Sequence, residues 1–310
     1  MTGATVPSWF EPMKAVLAGE PFSDPDWIFE RKLDGIRCIA IRDGGEVRLL
    51  SRTRHSLDAR FPEVAEALAA DPCERFAVDG EVVAFENGIT SFSRLQRRGH
   101  KRVAVFLYIF DAVHLDGEDI SALPLRRRKS RLRSALAFEG PVRYSPHFNE
   151  RGEEMYKEAC RKGLEGIIAK RADSPYRHAR SRDWLKLKCS YEQELVVGGF
   201  TAPQGSRTEF GALLVGYHDA GKLRYAGKVG TGFDHATLAQ LGALLRDLEI
   251  DASPFEDIHP VPRGTHWTRP ELVAQIGFSE WTRDGRLRHP RFLGLRDDKP
   301  AREVVRERPS

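Results

Sequence analysis

Glu30-Arg31-Lys32-Leu33-Asp34-Gly35-Ile36-Arg37 sets a lysine at a charged Asp-Gly turn between two strand-like stretches, Trp27 to Phe29 and Ile36 to Ile41. Alone, such a lysine reads as a surface group at a hairpin, and Asp34 as a turn residue rather than a metal ligand. The chain downstream gives it another setting. Ser51-Arg52 follows the strand-like Val47 to Leu50. Asp79-Gly80-Glu81 lies inside Phe76 to Phe85, an apolar run in which a carboxylate must find a partner, a cavity or a metal, because an unpaired buried charge is costly. Tyr108-Ile109-Phe110-Asp111 ends the strand-like Val103 to Phe110, and Glu165 opens another at Gly166 to Lys170. Trp184-Leu185-Lys186-Leu187-Lys188 alternates, so Lys186 and Lys188 project from one face of a strand. Near the C-terminus Arg296-Asp297-Asp298-Lys299 packs charge beside Phe292 and Leu295.

Helices are expected at Pro62 to Ala70, with proline at its start, at Leu125 to Phe138, at Glu153 to Lys162, stopped by Gly163, and at about His235 to Leu248. Residues 1 to about 25 form an extended lead-in. After Ser190 the composition changes. Glu194 to Phe200, Ala212 to Tyr217, Leu223 to Val229 and Val273 to Trp281, with a hairpin at Asp284-Gly285, are short strands around one helix, a pattern that suggests a small closed barrel of OB type. The boundary falls between residues 189 and 194, giving domains at 1–190 and 191–310, with the polar stretch Ser190 to Glu194 as the hinge. The fold class is α+β.

The 310 residues suit two domains, and 41% hydrophobic with 30% charged residues is the balance of a soluble globular protein. No apolar run is long enough to cross a bilayer and no signal peptide is evident, which places the chain in the cytoplasm, associated with the nucleoid, as a monomer. Cys38, Cys73, Cys160 and Cys189 are scattered without a zinc-like pair and are read as reduced. A net charge of +4 is compatible with a phosphate-rich partner. The run Arg126-Arg127-Arg128-Lys129, with Arg131 and Arg133, is expected to be a solvated helix face. His55, His100, His114 and His178 show no ligand spacing and are given no role.

Taken in order, the charged segments from residue 27 to 299 resemble the six nucleotidyltransferase motifs of the superfamily of ATP-dependent DNA ligases and mRNA-capping enzymes. Gly198-Gly199-Phe200, Gly211-Ala212-Leu213-Leu214, Gly227-Lys228-Val229-Gly230-Thr231-Gly232-Phe233 and Arg291-Phe292-Leu293-Gly294-Leu295 resemble the barrel of bacterial end-joining ligases of the ligase D type. The resemblance implies a nucleotidyltransferase (adenylation) domain of antiparallel sheets flanked by helices, followed by an all-β OB-fold domain. It also implies ligation in three steps. A lysine attacks the α-phosphate of ATP, AMP passes to a 5′-phosphate, and a 3′-hydroxyl displaces AMP.

By that resemblance Lys32 is the nucleophile that carries AMP. Glu30 seats adenine or ribose, Arg37 and Arg52 contact ribose or the nick phosphate, and Phe110 stacks on adenine. Glu81 and Glu165 are oxygen ligands for Mg²⁺ or Mn²⁺. Lys186 and Lys188 hold the α-phosphate, and Arg296, Asp298 and Lys299 orient pyrophosphate when the barrel closes over ATP. Attack needs a neutral amine, and a free lysine has a pKa of about 10.4. Partial burial and the cations Arg37, Lys186 and Lys188, with a bound metal adding to them, are therefore expected to depress that of Lys32.

The implied substrate is nicked or broken double-stranded DNA, in non-homologous end joining, with bacterial Ku as a partner and polymerase or nuclease end-processing in separate proteins, since 310 residues leave no room for them. The rival enzymatic readings are an RNA ligase or a capping-type guanylyltransferase. An NAD⁺-dependent ligase lacks support, for want of zinc-type cysteines or a domain before the first motif. A non-catalytic OB-fold nucleic-acid-binding protein is the rival of another class.

Overall fold

The computed structural model describes residues 4–96, 103–203 and 208–308, so His100 lies outside the described residues. The chain divides into two compact units, one running to Cys189 and one spanning Ser190–Arg308.

Two sheets form the first unit. One has β1 (Lys14–Leu17), β2 (Trp27–Arg31), β7 (His147–Asn149), β8 (Gly166–Arg171) and β9 (Arg180–Lys188), in the order β1-β9-β8-β2-β7. The other is built on β3 (Ile36–Asp43), β4 (Glu46–Ser51), β5 (Arg75–Glu86) and β6 (Val105–Leu115), in the order β4-β3-β5-β6. Pairing among these strands is antiparallel except between β1 and β9, and the short stretch Val142–Tyr144 also runs parallel to β6. The expected lead-in thus contributes an edge strand. The strand expected to end at Phe110 runs on to Leu115, which leaves Phe110 in mid-strand.

Helices cover the outer faces. α1 (Pro62–Ala69) starts on proline and buries Val64 and Leu68 in the core of the second sheet, beside Leu49, Phe76 and Val78. α2 (Leu125–Ala135) adds Leu132 to the same core. α3 (Gly152–Arg161) lays Ala159, Met155 and Tyr156 on Trp27, Phe29, Ile167 and Leu187 of the first sheet. Burial of such large apolar side chains stabilises by roughly 1.5–3 kcal/mol each, which is what holds short helices in place.

The reading of four reduced cysteines is corrected. Cys160 and Cys189 form a disulfide, and only Cys38 and Cys73 are free and buried. Packing of α3 on the first sheet brings the two Cα atoms to 5.0 Å across a sequence separation of 29. Spacing along the chain carries no trace of that proximity. Cys160→Ser should lower the unfolding free energy by about 3 kcal/mol, from the chain entropy restored to the unfolded state. Urea unfolding of the wild type and the variant under non-reducing conditions measures the difference, and coincident curves would refute it.

In the second unit β10 (Tyr191–Thr201) is the organising strand. It pairs along its length with β11 (Leu213–Asp219), β13 (Thr265–Thr268) and β14 (Val273–Phe278), so the sheet curls on itself. β12 (Lys222–Val229) extends one side and β15 (Arg291–Arg296) the other. A hydrogen bond of 2.9 Å from Phe292 N to Thr231 O ties β15 back to the end of β12. The interior holds Leu195, Val197, Leu213, Val215, Ile276 and Phe292, covered by α4 (His235–Asp247) through Leu241 and Leu245. Asp234 caps α4, accepting a 2.8 Å hydrogen bond from Thr237 N. Most of the stretch Ser190 to Glu194, expected to be the hinge, lies within a strand. β10 already begins at Tyr191, in register with Phe278, which leaves Cys189 and Ser190 between β9 and β10.

Candidate active site

Register partners in a sheet share a face, and residues two apart along a strand share it too. Lys186, Ile168, Glu30 and His147 therefore form one row across β9, β8, β2 and β7. Trp184, Lys188 and Lys170 lie on the same face by alternation, while the opposite face carries the apolar residues under α3. The second sheet answers with Arg37 and Glu81, which are register partners, and with Asp79 and Phe110. The two faces meet: the Phe110 and Trp184 rings lie 5.9 Å apart, and the Arg37 guanidinium lies 4.8 Å from the Phe110 centroid.

Lys32 follows the last residue of β2, with its N–H donating to Gly166 O at 3.0 Å. Gly166 has φ of +143°, and a side chain there would strike the Leu187 carbonyl, so the approach of β9 demands glycine. That tight packing sets Glu165 beside Lys32, and their side chains form an ion pair. Burial, the largest influence on Lys32, pulls its pKa down. The charge and hydrogen bond of Glu165, with Asp34 and Glu81, outweigh it and hold the ammonium above its ordinary range. The expectation that cations depress this pKa is corrected for the free protein: the near neighbours are carboxylates. Asp34, expected to serve its own turn, instead accepts from Phe92 N at 2.9 Å and donates its N–H to Thr90 Oγ1 at 3.1 Å, tying the Lys32 loop to a distant segment.

Asp79 is fully buried and has the partner that its apolar strand required. Arg37 donates to both its oxygens, at 2.5 and 2.6 Å, and Tyr176 Oη donates at 2.5 Å. Burial acts to lower the Arg37 pKa, but the Asp79 contact more than offsets it. Arg37 is thus locked by Asp79 rather than placed beside Lys32 as a charge.

Glu30 departs from its expected role. Its side chain is 3% exposed, and its oxygens are taken by Lys129 at 2.7 Å, Lys170 at 3.1 Å and Ser145 Oγ at 3.1 Å. Burial favours its neutral form, but the two ammonium groups prevail and lower its pKa. A carboxylate so enclosed supports the site and is not disposed to grip adenine or ribose itself. Phe110 is 9% exposed, with Lys170 Nζ 4.3 Å from its centroid.

Two residues that matter here, Lys129 and Lys170, escaped the sequence reading. Lys129 sits in the basic run assigned to solvent, yet Arg128 and Lys129 are 0% and 1% exposed. Arg128 makes a bidentate pair with Asp111, both bonds 2.8 Å. The available signal was a period: Leu125, Arg128, Lys129 and Leu132 are the buried positions of α2, spaced as one helical face. Composition of the run hid it.

Arg52 directly follows β4, whose Ser51 pairs with Cys38, on the sheet that carries Arg37 and Glu81. Lys186 and Lys188 are half-buried on the inward face. Among the described residues no group of three or more His, Cys, Asp or Glu could enclose a metal. Glu165 Oε2, however, is a buried oxygen without a hydrogen-bond partner, and Glu81 is close enough to act on Lys32. One or two carboxylates completed by substrate phosphates is a usual Mg²⁺ environment, so the donors fit a metal that arrives with a nucleotide.

Arg296, Asp298 and Lys299 lie in the second unit. Arg296 binds Asp298 through two hydrogen bonds of 2.8 and 2.9 Å, and Lys299 pairs with Glu194 at the start of β10. The three side chains are thus organised within the barrel by their own ion pairs.

Comparison with known proteins agrees across the chain. The family profile described as ATP dependent DNA ligase domain matches residues 11–188, and that described as ATP dependent DNA ligase C terminal region matches residues 206–299. The multifunctional non-homologous end joining protein LigD of Pseudomonas aeruginosa is 40% identical over 98% of this chain and 37% of its own length. The Mycolicibacterium smegmatis protein of that name is 38% identical over 97% of this chain and 40% of its own. The chain therefore spans well under half the length of these relatives. Among solved structures, a mycobacterial DNA ligase D complexed with ATP and MES aligns with 35% identity and a TM-score of 0.70, covering 96% of this chain and 98% of that one. The ligase domain of Mycobacterium tuberculosis LigD aligns with 36% identity and a TM-score of 0.53, over 96% and 98%. The two units correspond to an adenylation domain and an OB-fold domain.

Proposed function

The chain belongs to the ATP-dependent DNA ligase family, and from that premise we propose that it seals 5′-phosphate/3′-hydroxyl breaks in DNA through an AMP carried on Lys32. The observation that carries this is the Lys32–Glu165 ion pair between two inward-facing sheet surfaces. It presents a nucleophile, a carboxylate able to take its proton, and cations able to meet a phosphate. In step one the Lys32 ammonium first gives a proton to Glu165; the neutral nitrogen then bonds to the α-phosphorus as the bond to pyrophosphate breaks, and its second proton leaves to solvent with the departing pyrophosphate. Phosphoryl transfer is chiefly positioning and electrostatic stabilisation, which Lys186 and Lys188 supply at the α-phosphate.

Phe110 stacks on the base, and Arg52 together with Arg37 faces ribose or the nick phosphate. Glu81 and Glu165 would hold Mg²⁺ or Mn²⁺ together with the phosphates of ATP, and the ion would supply positive charge against theirs. Arg296, Asp298 and Lys299 orient pyrophosphate. No helix among the described residues is long and apolar enough to cross a membrane. The likeness to proteins named for non-homologous end joining supports work on double-strand breaks, and Ku and end-processing enzymes are the proposed partners there.

Intact mass with and without ATP and divalent metal tests the chemistry. We expect a gain of one AMP in the wild type and none in Lys32→Ala, which should also lose all sealing of a nicked duplex. Labelling by GTP alone would instead point to a capping-type enzyme.

A further inference from the structure

The floor of the site holds more positive charge than the reaction scheme uses. Glu30 lies between two ammonium groups, Lys129 Nζ at 2.7 Å from one oxygen and Lys170 Nζ at 3.1 Å from the other. All three side chains are 3% exposed or less. Lys129 is further saturated by the carbonyls of Phe110 and Ser145, at 3.2 and 3.0 Å. Lys170 finds no second hydrogen-bond acceptor among the described residues and lies against aromatic rings, 4.3 Å from the Phe110 centroid and 4.2 Å from that of Trp184.

The other charged groups around Lys170 do not cancel the excess. Asp111 is neutralised by its bidentate pair with Arg128. Arg37, which also lies over Phe110 and Trp184, is neutralised by Asp79. His147, register partner of Glu30, has its pKa pushed down to about 4, chiefly by burial, and is neutral at working pH. The cluster of Lys129, Glu30 and Lys170 is left with one net positive charge beneath the ring assigned to the base.

We propose that Lys170 is a positioning residue for the nucleotide: clamped by Glu30 against Phe110 and Trp184, its ammonium fixes the stacking ring and supplies the excess positive charge that strengthens ATP binding. This rests on the ligase reading of the site. Burial pushes the Lys170 pKa down to about 8, with Lys129 acting in the same direction and Glu30 opposing. The charge is therefore present at neutral pH and lost as pH rises through that value. One unit charge acting on a bound polyphosphate through a medium between water and dry protein corresponds to roughly a ten-fold change in affinity.

The test is the KM for ATP in lysyl-AMP formation, measured with kcat from about pH 6.5 to about pH 9.5. The wild-type KM should rise roughly ten-fold through a midpoint near the Lys170 value, with no matching step in kcat. Lys170→Met should show a raised, flat KM. Lys170→Arg, which stays charged, should keep a low KM throughout. Glu30→Gln should move the KM step to lower pH, and this decides the matter if the larger arginine does not fit. A KM step in Lys170→Met identical to that of the wild type, or no step in the wild type, overturns the proposal. A wild type that gains no AMP at any pH overturns the ligase reading instead, so the two failures are distinct.

Discussion

Glu165→Gln should slow lysyl-AMP formation by about two to three orders of magnitude and shift its dependence on pH to lower values. Two consequences oppose each other. Glu165 is what holds the Lys32 pKa up against burial, so removing its charge lets burial prevail and the amine becomes neutral at lower pH. That favours attack. Against it stand the loss of the group that receives the ammonium proton and of a buried oxygen, Oε2, suited to a phosphate-bound metal. The gain ends once the amine is neutral, whereas the loss applies at every pH. The plateau rate therefore falls while the inflection moves down. In the wild type the amine stays protonated to higher pH than a free lysine, so step one should accelerate with pH until its raised value is passed. Single-turnover labelling with ATP across pH measures both features. An unchanged inflection in Glu165→Gln would show that the ion pair does not control the nucleophile.

Asp111→Ala should cost about 3–5 kcal/mol of stability. It leaves the Arg128 guanidinium, fully buried, without its bidentate partner. The carbonyls of Leu123 and Ser174, at 2.6 and 2.8 Å, still accept from Nη1 but carry no compensating charge. Asp111 adjoins Phe110 on β6, so nucleotide labelling should fall with stability. Arg128→Met combined with Asp111→Leu should recover much of the loss, because a buried ion pair replaced by apolar groups of similar volume is often neutral. Urea unfolding of the two single variants and the double variant forms the cycle. Additive losses in the double variant would show that the pair is not coupled.

These two expectations concern residues that the sequence displayed very unequally. Lys32 and Glu165 stand in short motifs whose order along the chain suggested a shared site before any contact was known. Asp79 was legible as a buried carboxylate in need of a partner, though not that Arg37 was the partner. Arg128 and Lys129 were misread, since a run of four basic residues is usually a wet helix face. What reversed the reading was the presence of Asp111 and Glu30 on strands distant in sequence, each supplying a negative charge at the point where α2 packs. Glu30 was legible as a site residue but not as one already saturated by two lysines. The disulfide was invisible for the same reason, since Cys160 and Cys189 meet only because α3 lies on the first sheet.

Alone, the sequence determined the periodicities and the local chemistry: which stretches alternate, where proline and glycine begin and end helices, and that Lys186 and Lys188 share a face. Those features depend on neighbours a few residues apart, where backbone geometry leaves little freedom. It also carried the order of charged motifs that marks a ligase core. Only the tertiary structure decided which charges are spent on one another. Arg37 is bound to Asp79, Glu30 to Lys129 and Lys170, and Lys32 to Glu165 rather than to the cations expected around it. Charge pairing acts across space between distant segments, and burial magnifies it, so ionisation and availability are set by sheet register and helix packing rather than by position in the chain.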